Sequence, residues 1–450
     1  MRISGFAERN SWTDELKAGI NAGMNRSDPP DGSGPSATTE RRAQSSPESE
    51  AGRSAGPLSG VRILDMATVI AAPFGATLCA DWGAEVVKLE LPDGSDPLRT
   101  LLPVHEGHAL HWKVTNRGKK GLSLDVRSEQ GRAIFLKLLP RFDVLVENFR
   151  PGTLDRWGLD VQTLMTAHPR LVVLRMTGFG QTGPMRSAPG FARIFEAMSG
   201  FTNLCGEAGG SPLHMNYPVG DLVAGTFTAF GIAAAMVRMR SDPAAKGFEI
   251  DLAATEALFR LLDPLPVEHE QCGTVRGPAG NRASYTAPSN MYRSSDGAYV
   301  SLVASNSATF RRLCQVLERP DLAEHPDLAT IALRVKNGDA LDRLIAQWFA
   351  ARSADAAVKQ LQEAGVPCGR VQSIDDIVKD PHFIARQAIT RIEDPDLGSL
   401  PAPCVVPRIV GQAAPRLRSG PATGEHNTEL LGEIGIEGAT LERLRAEGVI

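Results

Sequence analysis

One carboxylate stands where a loop gives way to a long apolar helix. It is Asp221, in the run Tyr217-Pro218-Val219-Gly220-Asp221-Leu222-Val223-Ala224-Gly225. Two kinds of chemistry fit an aspartate there. As a helix N-cap it accepts a hydrogen bond from an orphan backbone N–H, the commoner role for the residue type. As a nucleophile it splits one hard acyl transfer into easier covalent steps. The positive end of a helix favours negative charge, so on either reading Asp221 is expected to be ionised.

Three other runs carry chemical potential. Gly178-Phe179-Gly180-Gln181-Thr182-Gly183 has the G-x-G-x-x-G spacing of a dinucleotide loop. The context fails, because a helix should open within that motif and Pro184 follows instead. Val146-Glu147-Asn148-Phe149-Arg150-Pro151-Gly152 ends a strand and runs into Leu154-Asp155-Arg156-Trp157-Gly158-Leu159. By itself it is a polar strand-to-helix turn. His105, His108 and His111 recur every third residue, but Pro103 and Gly107 suggest a loop. No carboxylate pair completes a ligand set, so they read as solvent-facing or cleft-lining histidines and no metal site is expected.

Composition narrows the classes. A chain of 450 residues has length for more than one lobe and a substantial core. A net charge of -4 with scattered Lys and Arg argues against nucleic acid as a partner. The six cysteines (79, 205, 272, 314, 368 and 404) form no C-x-x-C pair, which suits reduced thiols in a cytoplasmic protein. The apolar run Leu222 to Val237 is interrupted by Gly225, Thr226 and Gly231. It falls short of the roughly 18 to 20 residues of a membrane span, so no membrane partner is expected and a buried helix is read there. No apolar signal region opens the chain, and Met24 is an alternative start.

These residues need a scaffold, and the pattern supplies one. Strands are expected over 61–66, 84–90, 121–125, 143–147, 171–176 and 248–252. Helices are expected over 71–82, 128–139, 222–238 and 253–262. Strand and helix alternating at this spacing imply a parallel sheet covered on both faces. A hairpin turning at Asp296-Gly297 opens an α+β region with helices near 307–317, 339–351 and 354–364 and a closing strand at 369–371. A Pro-rich stretch and a helical C-terminus follow.

Together with Leu58-Ser59-Gly60-Val61-Arg62-Ile63-Leu64-Asp65, the runs at 146–152, 178–184 and 217–225 resemble the family III CoA-transferases, the CaiB/BaiF family, over about residues 57 to 450. In that family an aspartate at this place attacks an acyl-CoA thioester, so the resemblance implies that Asp221 is the nucleophile. Asn148 and Phe149 match residues that contact CoA. Arg156 matches a basic residue there, and an arginine fork suits phosphate. Leu124 matches an apolar residue against the adenine, and Val69 and Ala71 match backbone lining the CoA and substrate site. Gly424-Glu425-His426-Asn427 resembles a run whose role reads as structural.

The implied fold is α/β: a Rossmann-like parallel-sheet large domain plus a smaller α+β domain, in an interlocked homodimer with the active site between lobes. The organisation expected is a disordered tail over residues 1–56, the N-terminal part of the large domain over 57–262, a linker over 263–284, the small domain over 285–380 and a C-terminal segment over 381–450 that returns to the large domain. The implied activity moves CoA from an acyl-CoA donor to a free carboxylic acid through an aspartyl anhydride and an aspartyl-CoA thioester. CoA is then a substrate, and no cofactor or metal is implied.

Departures matter. Phe191 stands where the family's racemase branch has histidine, and phenylalanine moves no proton, which disfavours an acyl-CoA racemase or isomerase. A CoA-binding homologue without turnover is the other alternative. Ala192 replaces a frequent acid. Glu196 stands where many members have glutamine, either as an acid near the cleft or as a helix surface charge. Leu91 replaces an arginine that meets CoA phosphate in some members, with Arg99 as the substitute. Ile70 replaces a glutamine of oxalate-handling members and points to a larger or less polar acid.

Overall fold

The computed structural model describes residues 56–413 and 415–450. The expected tail, with the alternative start at Met24, lies outside the described residues except for Gly56.

Six strands form one sheet: β1 (Arg62–Asp65), β2 (Glu85–Glu90), β3 (Lys120–Ser123), β4 (Val144–Glu147), β5 (Val172–Thr177) and β6 (Glu249–Ala253). Their order is β3-β2-β1-β4-β5-β6. Every pairing is parallel. Every residue of β4 and β5 is buried, as a sheet covered on both faces requires. Alternation splits each strand between two cores. Leu64, Leu89, Leu122 and Leu145 face Phe135 and the C-terminal Leu430, Leu441 and Ile450. Ile63, Val86, Val146 and Leu174 face the second core with Ala72, Ala76, Ile232 and Met236. The strand order and the two cores are those of a Rossmann-like α/β fold.

Residues Val378–Ile450 group with this unit, and the Gly424–Asn427 run shows how. His426 Nδ1 accepts the Gly121 N–H at 3.0 Å and Asn427 Oδ1 accepts the Ser123 N–H at 2.9 Å. Side chains thus satisfy donors that the edge strand β3 would otherwise leave open. Arg62 adds a two-pronged bond to Glu433, each arm 2.8 Å. A hairpin, Ile389–Asp394 with Gly398–Pro403, forms within the stretch read only as Pro-rich.

Helix α1 (Ala71–Asp81) follows β1. Ser128 caps α2 (Glu129–Leu138) by accepting the Gly131 N–H. Helices α3 (Ala192–Met198) and α4 (Val219–Ser241) follow β5, and α5 (Ala254–Phe259) follows β6. Helix α4 is longer than the apolar run alone suggested. Its 23 residues include an 18-residue stretch of mean hydropathy 1.6, long and apolar enough to cross a membrane by length and composition. In this fold it packs on α1. The contact is close because it is made at glycines: a Cβ on Gly225 would lie 2.5 Å from the Ala71 carbonyl oxygen, and one on Gly75 2.5 Å from Thr228 Cβ. Alanine in a free helix is worth about 1 kcal/mol over glycine. Here the clash with backbone outweighs that gain. Gly225→Ala is expected to lower stability by about 2 kcal/mol, the range for overpacking, as read from the urea midpoint. A neutral or stabilising result would mean that the α1–α4 contact is not tight.

A second unit comprises Glu207–Gly210 and Ala279–Ile377. Its larger segment begins at Ala279 and ends at Ile377. The segment 263–284 is not a bare linker, since Leu265–Cys272 is helical and ends at Gly273 with φ +64°. Pro264 and Pro266 obscured it in the sequence, yet proline in a first turn starts helices. The second unit has an antiparallel sheet of Ser289–Arg293, Tyr299–Val303 and Cys368–Arg370. Its core includes Phe310, Leu313, Leu341, Ile345 and Leu361, and Tyr292 stacks on Phe349 at 5.3 Å.

Candidate active site

Strand order reverses between β1 and β4, and ligands of open α/β sheets bind beyond the strand ends at that point. Two of the sequence motifs leave the sheet there: the loop Met66–Ile70 after β1 and Asn148–Gly152 after β4. The Asn148 side chain joins them. Its Oδ1 accepts the Thr68 N–H at 2.7 Å and its Nδ2 donates to the Thr68 carbonyl at 2.8 Å. The amide of Asn148, for which the resemblance implied a CoA contact, thus shapes the neighbouring loop.

The next residue, Val69, has φ +66°. For a β-branched side chain this is a strained backbone, held only by an over-determined surrounding. The surrounding is present. Asp96 Oδ1 accepts the Val69 N–H and the Leu98 N–H, each at 3.0 Å. Asp65 Oδ1 accepts the Ala67 N–H at 3.0 Å. Lys88 Nζ donates to the Ala67 carbonyl and lies 3.3 Å from Asp96. Lys119 Nζ donates to Asp65 Oδ2 and to the Pro73 carbonyl, both at 2.7 Å. Two lysines and two aspartates are thereby buried beneath one loop. Burial, added to the charge of Lys88, pulls the Lys119 ammonium down to about 8.

A cavity of about 80 Å³ opens among Met66, Thr68, Leu91, Asp96, Phe149 and Trp157. Phe149 packs edge-on against Trp157 with ring centroids 5.1 Å apart. Arg156 is exposed and donates to Thr153 Oγ1 at 2.9 Å. Leu124 has no exposed surface and belongs to the first core. Arg99 is no free substitute for an arginine at Leu91. It forms a fork to Glu90, both arms 2.7 Å, and its guanidinium lies 3.7 Å over the Trp112 ring.

The first turn of α4, which carries Asp221, meets this loop through Leu222. Ala71 opens α1, and Leu222 and Val69 pack against the same small cluster of Ile70, Leu98, Ala109 and Trp112. The structure corrects two expectations about Asp221. It is not the cap: the helix begins at Val219, Pro218 holds the cap position, and no side-chain capping bond forms. Nor is it simply ionised. Burial, and then the nearby charge of Glu196, raise its carboxyl to about 7. Desolvation outweighs the field of the helix end.

Glu196 is buried, with 1% of its surface exposed, so the surface-charge reading is wrong. Its Oε1 accepts the Gly220 N–H at 2.9 Å and its Oε2 meets His214 Nδ1 at 3.1 Å. His214 carried no signal in the sequence, because it pairs with a residue 18 positions away through a turn. Phe191, at the cap of α3, is 72% exposed.

The Gly178–Gly183 loop follows β5 with no helix opening inside it. Gly180, at φ +83°, donates to Thr177 Oγ1 at 2.9 Å. His108 lies 3.5 Å from Asp396. The His111 ring is 6.4 Å from that of Tyr217. Among the described residues no three His, Cys, Asp or Glu side chains converge as a metal site.

The sequence pattern that defines CoA-transferase family III matches residues 58–427. The chain belongs to CoA-transferase family III. Among relatives, the succinyl-CoA–D-citramalate CoA-transferase of Chloroflexus aurantiacus is 38% identical over 397 residues, 88% of this chain and 98% of the relative. The succinate–glutarate CoA-transferase of Agrobacterium fabrum is 31% identical over 396 residues, 86% of this chain and 97% of the relative. A solved structure of a CaiB/BaiF family protein from Brucella suis superposes with a TM-score of 0.73 at 30% identity, covering 84% of this chain and 100% of that one. In this family III CoA-transferase, the 146–152 and 178–184 motifs leave the sheet at the ends of β4 and β5.

Proposed function

We propose that this enzyme moves CoA from an acyl-CoA, succinyl-CoA first among candidates, to a second dicarboxylic acid, with Asp221 as the nucleophile. The observation that carries the reading is Asp221 itself: a buried carboxylate in the first turn of α4, uncommitted to capping, next to Leu222, which packs on the same cluster as Val69. The substrate class follows relatives named for citramalate, malate and glutarate.

The Asp221 carboxylate attacks the thioester carbonyl, the C–S bond breaks, and CoA leaves as thiolate from a mixed anhydride. The thiolate attacks the aspartyl carbonyl and releases the donor acid as carboxylate, leaving aspartyl-CoA. The acceptor carboxylate attacks that carbonyl and expels the thiolate again. The thiolate then attacks the acceptor's acyl carbonyl and frees Asp221. Backbone N–H groups near the glycine-rich turns are suited to oxyanions. An interlocked homodimer is part of the reading, supported by Phe230 and Val237, 69% and 71% exposed on the otherwise apolar α4.

The test is trapping. Incubation with succinyl-CoA, borohydride reduction and peptide mapping by mass spectrometry should place the modification on Asp221, absent from Asp221→Ala. An unmodified Asp221 in protein that demonstrably binds the thioester would overturn the proposal.

A further inference from the structure

We infer that Glu196 is a positioning residue: held between the Gly220 amide and the His214 imidazole, it poises the Asp221 carboxylate for covalent capture, and His214 tempers its effect. The inference rests on the reading of Asp221 as nucleophile and assigns a role to residues that carry none in the reaction as written above.

The geometry leaves Glu196 little freedom. One carboxylate oxygen is tied to the turn that carries the nucleophile and the other to the imidazole, at 2.9 and 3.1 Å. A Cβ on Gly220 would lie 3.2 Å from Glu196 Cγ, so the acid sits directly against that turn. The groups facing it can be named. Asp221 and the Gly220 amide come from α4. His214 comes from the loop before α4, with Thr202 Oγ1 3.4 Å from the same nitrogen. Glu256, on the α5 helix that also packs on α3, is exposed.

A fixed negative charge beside Asp221 acts unequally on the states of the reaction. Free Asp221 is an anion once ionised. In the mixed anhydride and in aspartyl-CoA the same group is neutral. Like-charge repulsion therefore penalises the free carboxylate and spares the covalent states. The nucleophile becomes more basic, and the equilibrium leans towards capture. Burial contributes most of the rise in the Asp221 carboxyl, with Glu196 the second cause. A protonated His214 offsets the Glu196 charge and weakens the effect; a neutral one leaves it in full.

The test uses the full-length enzyme. The pH dependence of kcat/KM with succinyl-CoA, and the borohydride-trapped fraction at pH 8, are compared for wild type, Glu196→Gln and His214→Gln. Glutamine keeps the shape of glutamate and an oxygen for the Gly220 amide, so a purely structural role leaves the midpoint unmoved. The expected result for Glu196→Gln is an acid-limb midpoint about one pH unit lower, and a ratio of covalent to free Asp221 about tenfold lower. Any charge on His214 can only oppose that of Glu196, so the His214→Gln midpoint is expected at or above that of wild type; a midpoint below it overturns the tempering role, and this variant preserves the test if Glu196→Gln fails to fold. An unmoved Glu196→Gln midpoint in a wild type that labels at Asp221 overturns this inference alone. A wild type that does not label overturns the nucleophile as well.

Discussion

Asp221→Asn is expected to abolish CoA transfer and, at pH 8, to make the protein more stable. Loss of a covalent nucleophile costs rate on the order of 10⁶-fold. The stability gain follows from the raised carboxyl, at about 7 against an ordinary 3.8. Between those values the folded protein holds a proton that the unfolded chain has released, so stability falls as pH rises. The ionisation penalty is absent below about pH 4, grows through the window, and is complete above about 7. Three units at 1.36 kcal/mol each set a ceiling of about 4 kcal/mol. Asparagine carries no such penalty. Urea unfolding should show the variant ahead of wild type by up to that amount at pH 8, with the gap closing towards pH 4. Equal stability at pH 8 would show that Asp221 is not held in a costly charge state. The pairing of lost activity with gained stability marks a strained functional group, as opposed to a structural one.

The second large effect is expected at Asp65. Its carboxylate meets Lys119 at 2.7 Å with both side chains wholly buried. Asp65→Asn retains the shape and an acceptor for the Ala67 amide but leaves Lys119 without its counter-charge. Breaking a buried pair from one side costs about 3–5 kcal/mol, and thermal or urea unfolding should show it. The double variant Asp65→Asn/Lys119→Met is expected to recover much of the loss, because no uncompensated charge remains. If the single variant is as stable as wild type, the pair is not the brace described. Activity should fall with the single variant too, since the Ala67–Val69 backbone depends on this network.

The parallel sheet was legible because β4 and β5 are continuous apolar runs separated by amphipathic stretches, a local signal. The helix start at Ser128 and the Asp296-Gly297 turn were legible because their signals too are local. Leu265–Cys272 was missed because prolines broke its periodicity, and the Ile389–Pro403 hairpin because its second strand carries Pro401 and Pro403. In the site, Asn148 and Val69 were found through motifs. What they do there was not visible, since the Asn148–Thr68 and Asp96–Val69 bonds join residues 80 and 27 apart.

The sequence by itself determined the order of strands and helices, the family and the carboxylate proposed as nucleophile. Periodicity and motif spacing are properties of neighbouring residues, and neighbours are what a sequence displays. Only the tertiary structure decided the electrostatics. It buried Glu196 against Gly220, brought His214 to it across a turn, and placed two lysines and two aspartates beneath the Val69 loop. Charge state depends on which groups lose water together and which charges end up within a few ångströms. Those distances exist only once the chain has folded.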